Sequence, residues 1–171
     1  MTTTVQTEHP VTRFLEMQTG DRAKMSKLRT DTRAALYEAA SRRPDLEPYL
    51  KPWNEHITTT VAALFAKHPK SAESGNMGAH MRALDPNLAR KSTKAHFDRL
   101  RRMRLDALLQ QLPHEIARLK SAAIAVNWHQ LMYDIHYWDH PKHFVQRQWM
   151  RGFFLSVQSG PTSESTGECR I

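Results

Sequence analysis

The chain has 171 residues, the size of one domain, and its 25 Lys and Arg residues outnumber its 17 Asp and Glu residues. The formal net charge of +8 predicts a polyanionic partner, because neutralised phosphates release counterions, although scattered surface lysines on any soluble protein would give the same charge. The single cysteine, Cys169, excludes a disulfide within the chain, and no segment approaches the roughly 18 apolar residues of a membrane span.

The N-terminal segment lacks the cationic start and the apolar run of a secretory signal peptide. Together with the lone cysteine, this predicts a reducing compartment, a cytoplasmic location and no membrane association. Six glycines are few for the many tight turns of a sheet protein, so the composition favours helices.

Periodicity and helix-end signals predict an all-α fold, a compact helical bundle of about seven to nine helices that could divide into two small lobes. Residues 1–10 are expected to form a flexible arm, from which Pro10 opens a short helix through Gln18. A turn at Thr19-Gly20-Asp21 then leads into the longest predicted helix, from Asp21 to about Ser41, whose apolar residues share one face.

A connector with three prolines follows and has room for one short helix. The next predicted helices cover residues 54–67, 77–84, 88–121, 127–138 and 142–155. Asn54 and Asn127 are placed to cap two of them, and the helix at 88–121 is expected to break near Met103–Arg104 and to be perturbed at Pro113. The helical domain therefore spans residues 11–155, with a lobe boundary near 70–87 and a disordered tail at 156–171. Four tryptophans are expected to anchor the core or an interface, namely Trp53, Trp128, Trp138 and Trp149.

Basic residues form a stripe on the predicted Asp21–Ser41 helix. At about 100° per residue, Arg22, Arg29 and Arg33 lie within roughly 40° of one another, and Lys24 and Lys27 form a second cationic edge. A single run of charges is usually a solvated face. Three clustered arginines nevertheless favour phosphate recognition, because a guanidinium binds phosphate through parallel hydrogen bonds.

A second basic stripe lies on the predicted helix at 88–121. Arg90, Lys94 and Arg101 align on one side, with Phe97 between them, which predicts either stacking on a base or a core or subunit contact. Weaker basic pairs further along could extend the two stripes into one phosphate track. The candidate nucleic-acid-binding residues are Arg22, Lys24, Lys27, Arg29, Arg33, Lys94, Arg101, Arg102, Arg118, Lys120, Arg147 and Arg151.

Other chemistries find little support in the sequence. The neighbouring His136, His140 and His143 are interrupted by Pro141 and lack an HExxH spacing, so we expect no metal site. The chain has neither a GxSxG elbow nor a nucleotide-binding P-loop, and Cys169 lies in the tail, so we expect no catalytic residue and no cofactor. A histidine-dependent nuclease needs no local motif and is kept as an alternative.

Several segments, read in order, carry a family resemblance. In the first half they are Phe14-Leu15, Gln18-Thr19-Gly20-Asp21-Arg22-Ala23, Leu28-Arg29, Trp53, Val61-Ala62-Ala63-Leu64-Phe65-Ala66 and His68-Pro69. In the second half they are Arg118-Leu119-Lys120, Val126-Asn127-Trp128, Gln130-Leu131, Asp134, Trp138, Val145-Gln146-Arg147, Trp149, Arg151 and Phe153-Phe154. Over residues 11–155 their order and spacing resemble the CasB family, the small subunit of Cascade, the type I-E CRISPR surveillance complex.

This resemblance implies an all-helical, non-catalytic subunit that packs as a pair of copies beside the large subunit and the RNA-coating backbone subunits. It also implies that the basic surface stabilises the R-loop, with CRISPR RNA and target DNA as the nucleic-acid partners. Base pairing by the guide supplies sequence specificity, so phosphate contacts suffice for such a subunit. The alternative is a stand-alone helical DNA-binding regulator, which would require a recognition helix with clear sequence preference.

Overall fold

The structure is a computed structural model that describes residues 8–155, so the predictions for residues 1–7 and for the tail at 156–171 lie outside it. The all-α prediction is confirmed: the described residues form nine α-helices, one 3-10 helix and an isolated bridge between Ser71 and Val126. None of these helices has both the length and the apolar character that crossing a membrane requires. The α-helices are α1 (Pro10–Gln18), α2 (Arg22–Thr30), α3 (Thr32–Ala40), α4 (Glu55–Lys67), α5 (Met77–Ala83), α6 (Lys91–Leu100), α7 (Leu105–Ser121), α8 (Trp128–His136) and α9 (Phe144–Leu155), and the 3-10 helix is Pro44–Leu50.

The prediction of a single helix from Asp21 to Ser41 is wrong, because the chain breaks at Asp31 into α2 and α3. Asp31 leaves the helical region, with φ −146° and ψ 75°, and its carboxylate accepts a hydrogen bond from the Ala34 N–H at 3.1 Å. A short acidic side chain that captures a backbone N–H favours a helix start over a helix interior. The break gives α3 a new direction, so α2 and α3 do not share one helical face.

The predicted break near Met103–Arg104 is confirmed, since α6 ends before it and α7 begins after it. Helix α6 starts a few residues later than predicted, because the Asp85 carboxylate accepts hydrogen bonds from the backbone N–H groups of Ala89 and Arg90, each at 3.0 Å. These bonds hold the preceding loop out of the helix. Helix α7 continues through Pro113.

The two predicted asparagine caps have different outcomes. The Asn127 side chain accepts a hydrogen bond from the Gln130 N–H at 3.1 Å and caps α8. The Asn54 side chain instead donates to the Pro48 carbonyl at 3.2 Å and makes no cap hydrogen bond to α4. Asn54 therefore fixes the connector to the start of α4 and leaves the first N–H groups of that helix uncapped by its side chain.

Aromatic side chains form the centre of the core. Trp128, Trp138 and Trp149 are at most 1% exposed, and the ring centroids of Trp138 and Trp149 lie 4.7 Å apart. The prediction that tryptophans anchor the core is confirmed for these three. Trp53 is 69% exposed and lies on the surface of the described part of the chain.

Helices α5 and α9 cross at close range through two glycines. A Cβ on Gly78 would lie 2.7 Å from the carbonyl carbon of Trp149, and one on Gly152 would lie 3.0 Å from the backbone nitrogen of Ala79. The Asn76 side chain closes the contact by donating to an α9 carbonyl at 2.9 Å. Only a residue without a Cβ permits this approach. The lobe boundary near 70–87 stays a prediction.

A buried carboxylate joins α8 to α9. Asp134 is 2% exposed and accepts hydrogen bonds from Trp149 Nε1 at 2.7 Å and from Gln130 Nε2 at 2.8 Å. Burial raises the pKa of Asp134 to about 6, although both hydrogen bonds act in the opposite direction. The two donors thus stabilise a carboxylate that is ionised at neutral pH.

Replacing Trp149 with Phe is expected to lower the free energy of unfolding at pH 8 by about 2 kcal/mol. The lost indole N–H leaves the Asp134 carboxylate with one donor. A group whose pKa is raised by folding adds stability at low pH, and this stability is lost as the pH rises through the folded pKa. The deficit should therefore shrink at pH 5, where Asp134 is protonated. Urea unfolding at both pH values measures it, and equal deficits would contradict this role of Asp134.

Three histidines that are wholly or partly buried, His9, His80 and His136, have lowered pKa values. His9, at the end of the predicted arm, is 0% exposed, and its backbone N–H donates to His129 Nδ1 at 2.9 Å. Its ring stacks against His136 with a centroid separation of 5.9 Å. His80 Nε2 accepts a hydrogen bond from the Asn127 N–H at 3.0 Å. Burial lowers the pKa of His9 to about 3 and the pKa values of His80 and His136 to about 4.

Candidate nucleic-acid interface

The basic residues of α2 divide into two groups. Lys24 Nζ lies 3.5 Å from the carboxylate that caps α2, and Lys27 forms an ion pair with Glu38 of α3. The hydrogen bond from Lys27 holds the pKa of Glu38 below its usual value. Arg22 and Arg29, in contrast, have no carboxylate partner among the described residues, and both line a cleft between α2 and the end of α4. Charge is therefore compensated on one side of α2 and uncompensated on the other.

Arg33 is separated from Arg22 and Arg29 by the break at Asp31. Its Nε lies 2.7 Å from Glu55 Oε1 at the start of α4. The predicted alignment of the three arginines within 40° is wrong, because it assumed one continuous helix. Arg33 contributes to an ion pair between α3 and α4 instead of extending the α2 stripe.

On α6 and the turn that follows it, two predicted basic residues share one carboxylate. Asp98 lies 3.9 Å from Lys94 Nζ and 3.0 Å from Arg101 Nε. Phe97 is 0% exposed, and its ring stacks on Phe153 with centroids 4.1 Å apart. Of the roles that the sequence left open for Phe97, the structure selects the core contact.

A buried carboxylate positions Arg118. Glu115 is 0% exposed, accepts a hydrogen bond from Arg118 Nη1 at 3.1 Å and lies 2.6 Å from His96 Nε2. Arg99 Nη2 lies 3.1 Å from His96 Nδ1. Because a guanidinium can only donate, Nδ1 accepts and Nε2 carries the proton that faces Glu115. This chain of hydrogen bonds ties α6 to α7 and orients one arginine at each end.

The remaining predicted residues are exposed and have no carboxylate partner in the range that the structure describes. Arg102 lies between α6 and α7, and Lys120 lies in the last turn of α7. Arg147 Nη1 donates to the Lys142 carbonyl at 2.5 Å. Arg151 lines a cleft of about 520 Å³ at the junction of α5 and α9.

Charge compensation thus separates the twelve candidates into two sets. The compensated set comprises Lys24, Lys27, Arg33, Lys94, Arg101 and Arg118. The uncompensated set, judged on the described residues, comprises Arg22, Arg29, Arg102, Lys120, Arg147 and Arg151. An exposed cation without a carboxylate partner can bind an external anion directly, whereas a paired one must first lose its partner. A continuous track through all twelve residues stays a prediction.

Two basic residues outside the predicted set take part in these arrangements. Lys67 lines the same cleft as Arg22 and Arg29, and Arg99 contacts His96. The sequence does show Lys67 as a basic residue in the last turn of α4, but no local pattern relates it to α2. Only the packing of α2 on α4 brings the three side chains together.

The three clustered histidines have separate environments. His136 is partly buried and stacks on His9, the His140 ring packs 5.1 Å from Phe144, and His143 adopts a positive φ of 48° in the turn before α9. Among residues 8–155, no group of three or more His, Cys, Asp or Glu side chains could hold a metal ion. Cys169 lies outside the described residues.

Three solved structures share the fold. The Cse2-family protein from Thermus thermophilus has a TM-score of 0.62 and 21% identity, covering 84% of this chain and 95% of that chain. CasB from Thermobifida fusca has a TM-score of 0.61 and 18% identity, covering 86% and 99%. A chain of a CRISPR RNA-guided surveillance complex has a TM-score of 0.61 and 22% identity, covering 86% and 87%.

Among curated proteins, no sequence matches the chain. The family model of the CRISPR-associated protein Cse2 matches residues 13–154, which is most of the chain. This match confirms the resemblance found in the sequence. The chain belongs to the family of the CRISPR-associated protein Cse2.

Proposed function

We propose that the chain is a non-catalytic subunit of a type I-E CRISPR RNA-guided surveillance complex, Cascade, acting in antiviral defence in the cytoplasm. The observation that carries the proposal is the match to the Cse2 family model over residues 13–154, and the likeness to a chain of such a complex supports it. In this role its partners are CRISPR RNA, target DNA, the RNA-coating backbone subunits, the large subunit and a second copy of itself.

Within that complex, the chain's task is to hold nucleic-acid backbone and so stabilise the target and displaced strands of the R-loop. Guide pairing supplies sequence specificity, so this task needs cations aimed at phosphates and no base-reading code. The uncompensated set meets this requirement, since its six side chains are exposed and free of carboxylate partners in the described range. The compensated set contributes less to phosphate binding, because its cations already form ion pairs with Asp or Glu side chains.

Co-purification tests the assignment to a complex. A tagged full-length chain, isolated from its host, is expected to bring down guide RNA and an RNA-coating backbone subunit. Isolation of the chain with neither would refute the proposal. Incubation with RNA and DNA, with and without chelator, is expected to leave both intact, and chelator-sensitive cleavage would support a nuclease instead.

The two charge sets predict different binding behaviour. Changing the six uncompensated residues to Ala should weaken binding to single-stranded DNA and reduce the slope of log K against log salt by up to about 4, at roughly 0.7 for each phosphate contact. The same change in the compensated set removes equal charge and should reduce the slope by less. Fluorescence anisotropy across a salt series measures both, with circular dichroism as a check on folding.

Equal slopes for the two variants would contradict the division of the interface. A clear preference for a selected duplex over random duplexes would favour the stand-alone regulator, because phosphate contacts alone carry no sequence information.

A further inference from the structure

A cleft of about 300 Å³ lies where α2 packs on the end of α4. We call it the Arg22 cleft. Its side chains come from the turn before α2, from one face of α2 and from the last residues of α4. The lining residues are Thr19, Gly20, Arg22, Met25, Arg29, Ala66, Lys67 and Pro69.

As formed by the described residues, the lining of the Arg22 cleft is positively charged and contains no carboxylate. Arg22, Arg29 and Lys67 are exposed, and none of the three forms an ion pair with a described residue. Like charges that share one small cleft repel one another, and a bound anion reverses that cost. Lys24 and Lys27, on the same helix, show the opposite arrangement, since each has a carboxylate within the fold.

Arg29 is suited to a phosphate in geometry as well as in charge. Arg29 Nε donates to the Met25 carbonyl at 3.2 Å, which fixes the guanidinium plane and leaves its two terminal nitrogens for a ligand. A planar guanidinium matches two phosphate oxygens, and Lys67 adds a point charge from the facing helix. The Gly20 side of the cleft is open, since a Cβ added there would meet no atom of residues 8–155 within 4 Å.

We infer that the Arg22 cleft binds one phosphate group of a nucleic-acid backbone and acts as a discrete anchor within the basic surface. The inference rests on the proposed function and adds to it a defined site, to which Lys67 belongs. Three cations that line one cleft can hold one phosphate in a fixed position, whereas scattered cations attract the strand without fixing its register. The same chemistry would accept free inorganic phosphate, so the test must separate the two sources.

The test compares two triple variants of the full chain that lose equal charge. The cleft variant is Arg22→Ala, Arg29→Ala and Lys67→Ala. The control variant is Arg13→Ala, Arg42→Ala and Lys51→Ala, whose cations are each paired with a carboxylate outside the cleft. The probes are single-stranded DNA, followed by anisotropy across a salt series, and inorganic phosphate, followed by amide chemical shifts at Thr19–Arg22.

The cleft variant is expected to lose about 10-fold in DNA affinity at low salt and about 0.7 units of salt slope, the share of one phosphate contact, while the control changes much less. Phosphate should shift the Thr19–Arg22 amides in the wild-type and control proteins and leave them unmoved in the cleft variant. Gly20→Glu, which has room for its side chain, should weaken DNA binding in the same way without removing any cation.

Three results would overturn the inference. Equal losses in the two triple variants would mean a diffuse positive surface and would leave the proposed function intact. If inorganic phosphate shifts the wild-type amides but the cleft variant keeps full DNA affinity, the cleft is a site for free phosphate only. Full DNA affinity in the cleft, control and six-residue uncompensated variants would refute both the anchor and the proposed nucleic-acid role.

Discussion

The substitution Gly78→Ala is expected to lower the free energy of unfolding by about 3 kcal/mol. The added Cβ would overlap the Trp149 carbonyl and lie 3.0 Å from the Trp149 Cα. Both neighbours are backbone atoms of α9, so the clash can be relieved only by moving α5 away from α9. The gain in helix propensity from Gly to Ala, about 1 kcal/mol, is too small to offset this separation.

Gly20→Ala is the matched control for this prediction, because no atom in the described part of the chain lies within 4 Å of its added Cβ. It should change stability by less than about 0.5 kcal/mol. Urea midpoints for the wild type and the two variants measure the difference. Equal stability of Gly78→Ala and Gly20→Ala would contradict the close backbone approach of α5 and α9 at Gly78.

Acid is expected to unfold the chain cooperatively between about pH 4 and pH 5. His9, His80 and His136 have folded-state pKa values of about 3, 4 and 4, below their ordinary value of 6.5. A group with a depressed folded pKa is stabilising above its unfolded pKa, and this stability is lost as the pH falls toward the folded value. From pH 7 to pH 4.5 the combined loss is on the order of 5 kcal/mol, comparable to the whole stability of many domains.

Asp134 acts in the opposite direction over part of this range. Its pKa is raised to about 6, so its protonation below that pH favours the folded state. The net loss is therefore smaller than three histidines alone would give, but three groups outweigh one. Stability should fall with decreasing pH throughout the interval from 6.5 to 4.5.

His136→Phe separates this titration from other acid effects. His136 Nε2 is buried without a hydrogen-bond partner among residues 8–155, so the substitution removes a titrating group while preserving an aromatic ring of similar shape. The acid midpoint is expected to move to lower pH, whereas His114→Gln, at an exposed position, should leave it in place. Circular dichroism as a function of pH gives the midpoints. An unchanged midpoint in His136→Phe would show that His136 does not drive the transition.

Helix type and approximate helix position could be predicted from the sequence, because apolar periodicity and proline are local signals. The sequence does not predict the Asp31 break, because a run of helix-compatible residues on both sides outweighs one capping residue. Its signal was present in Thr30-Asp31-Thr32, three residues that favour helix ends over helix interiors. Its consequence for Arg33, an ion pair with Glu55, needed the packing of α3 on α4.

The sequence also identified which residues carry positive charge but not which charges are compensated by carboxylates of other helices. Lys27 and Glu38 are far enough apart along the chain that only the turn between α2 and α3 brings them together. From the sequence, Phe97 could stack on a base at the surface or pack in the core. Its stacking on Phe153 places it in the core. Charge and hydrophobicity are properties of single residues, whereas compensation and burial are properties of pairs.

By itself, then, the sequence determined an all-α chain with a net charge of +8, two basic segments and a family resemblance. Composition and local periodicity suffice for these features, because each depends on residues close together in the chain. Only the tertiary structure decided that Lys27 and Arg33 face carboxylates of other helices and that Arg22 and Arg29 meet Lys67 in one cleft. Electrostatic pairing acts over a few ångströms in space, and the fold alone sets those distances.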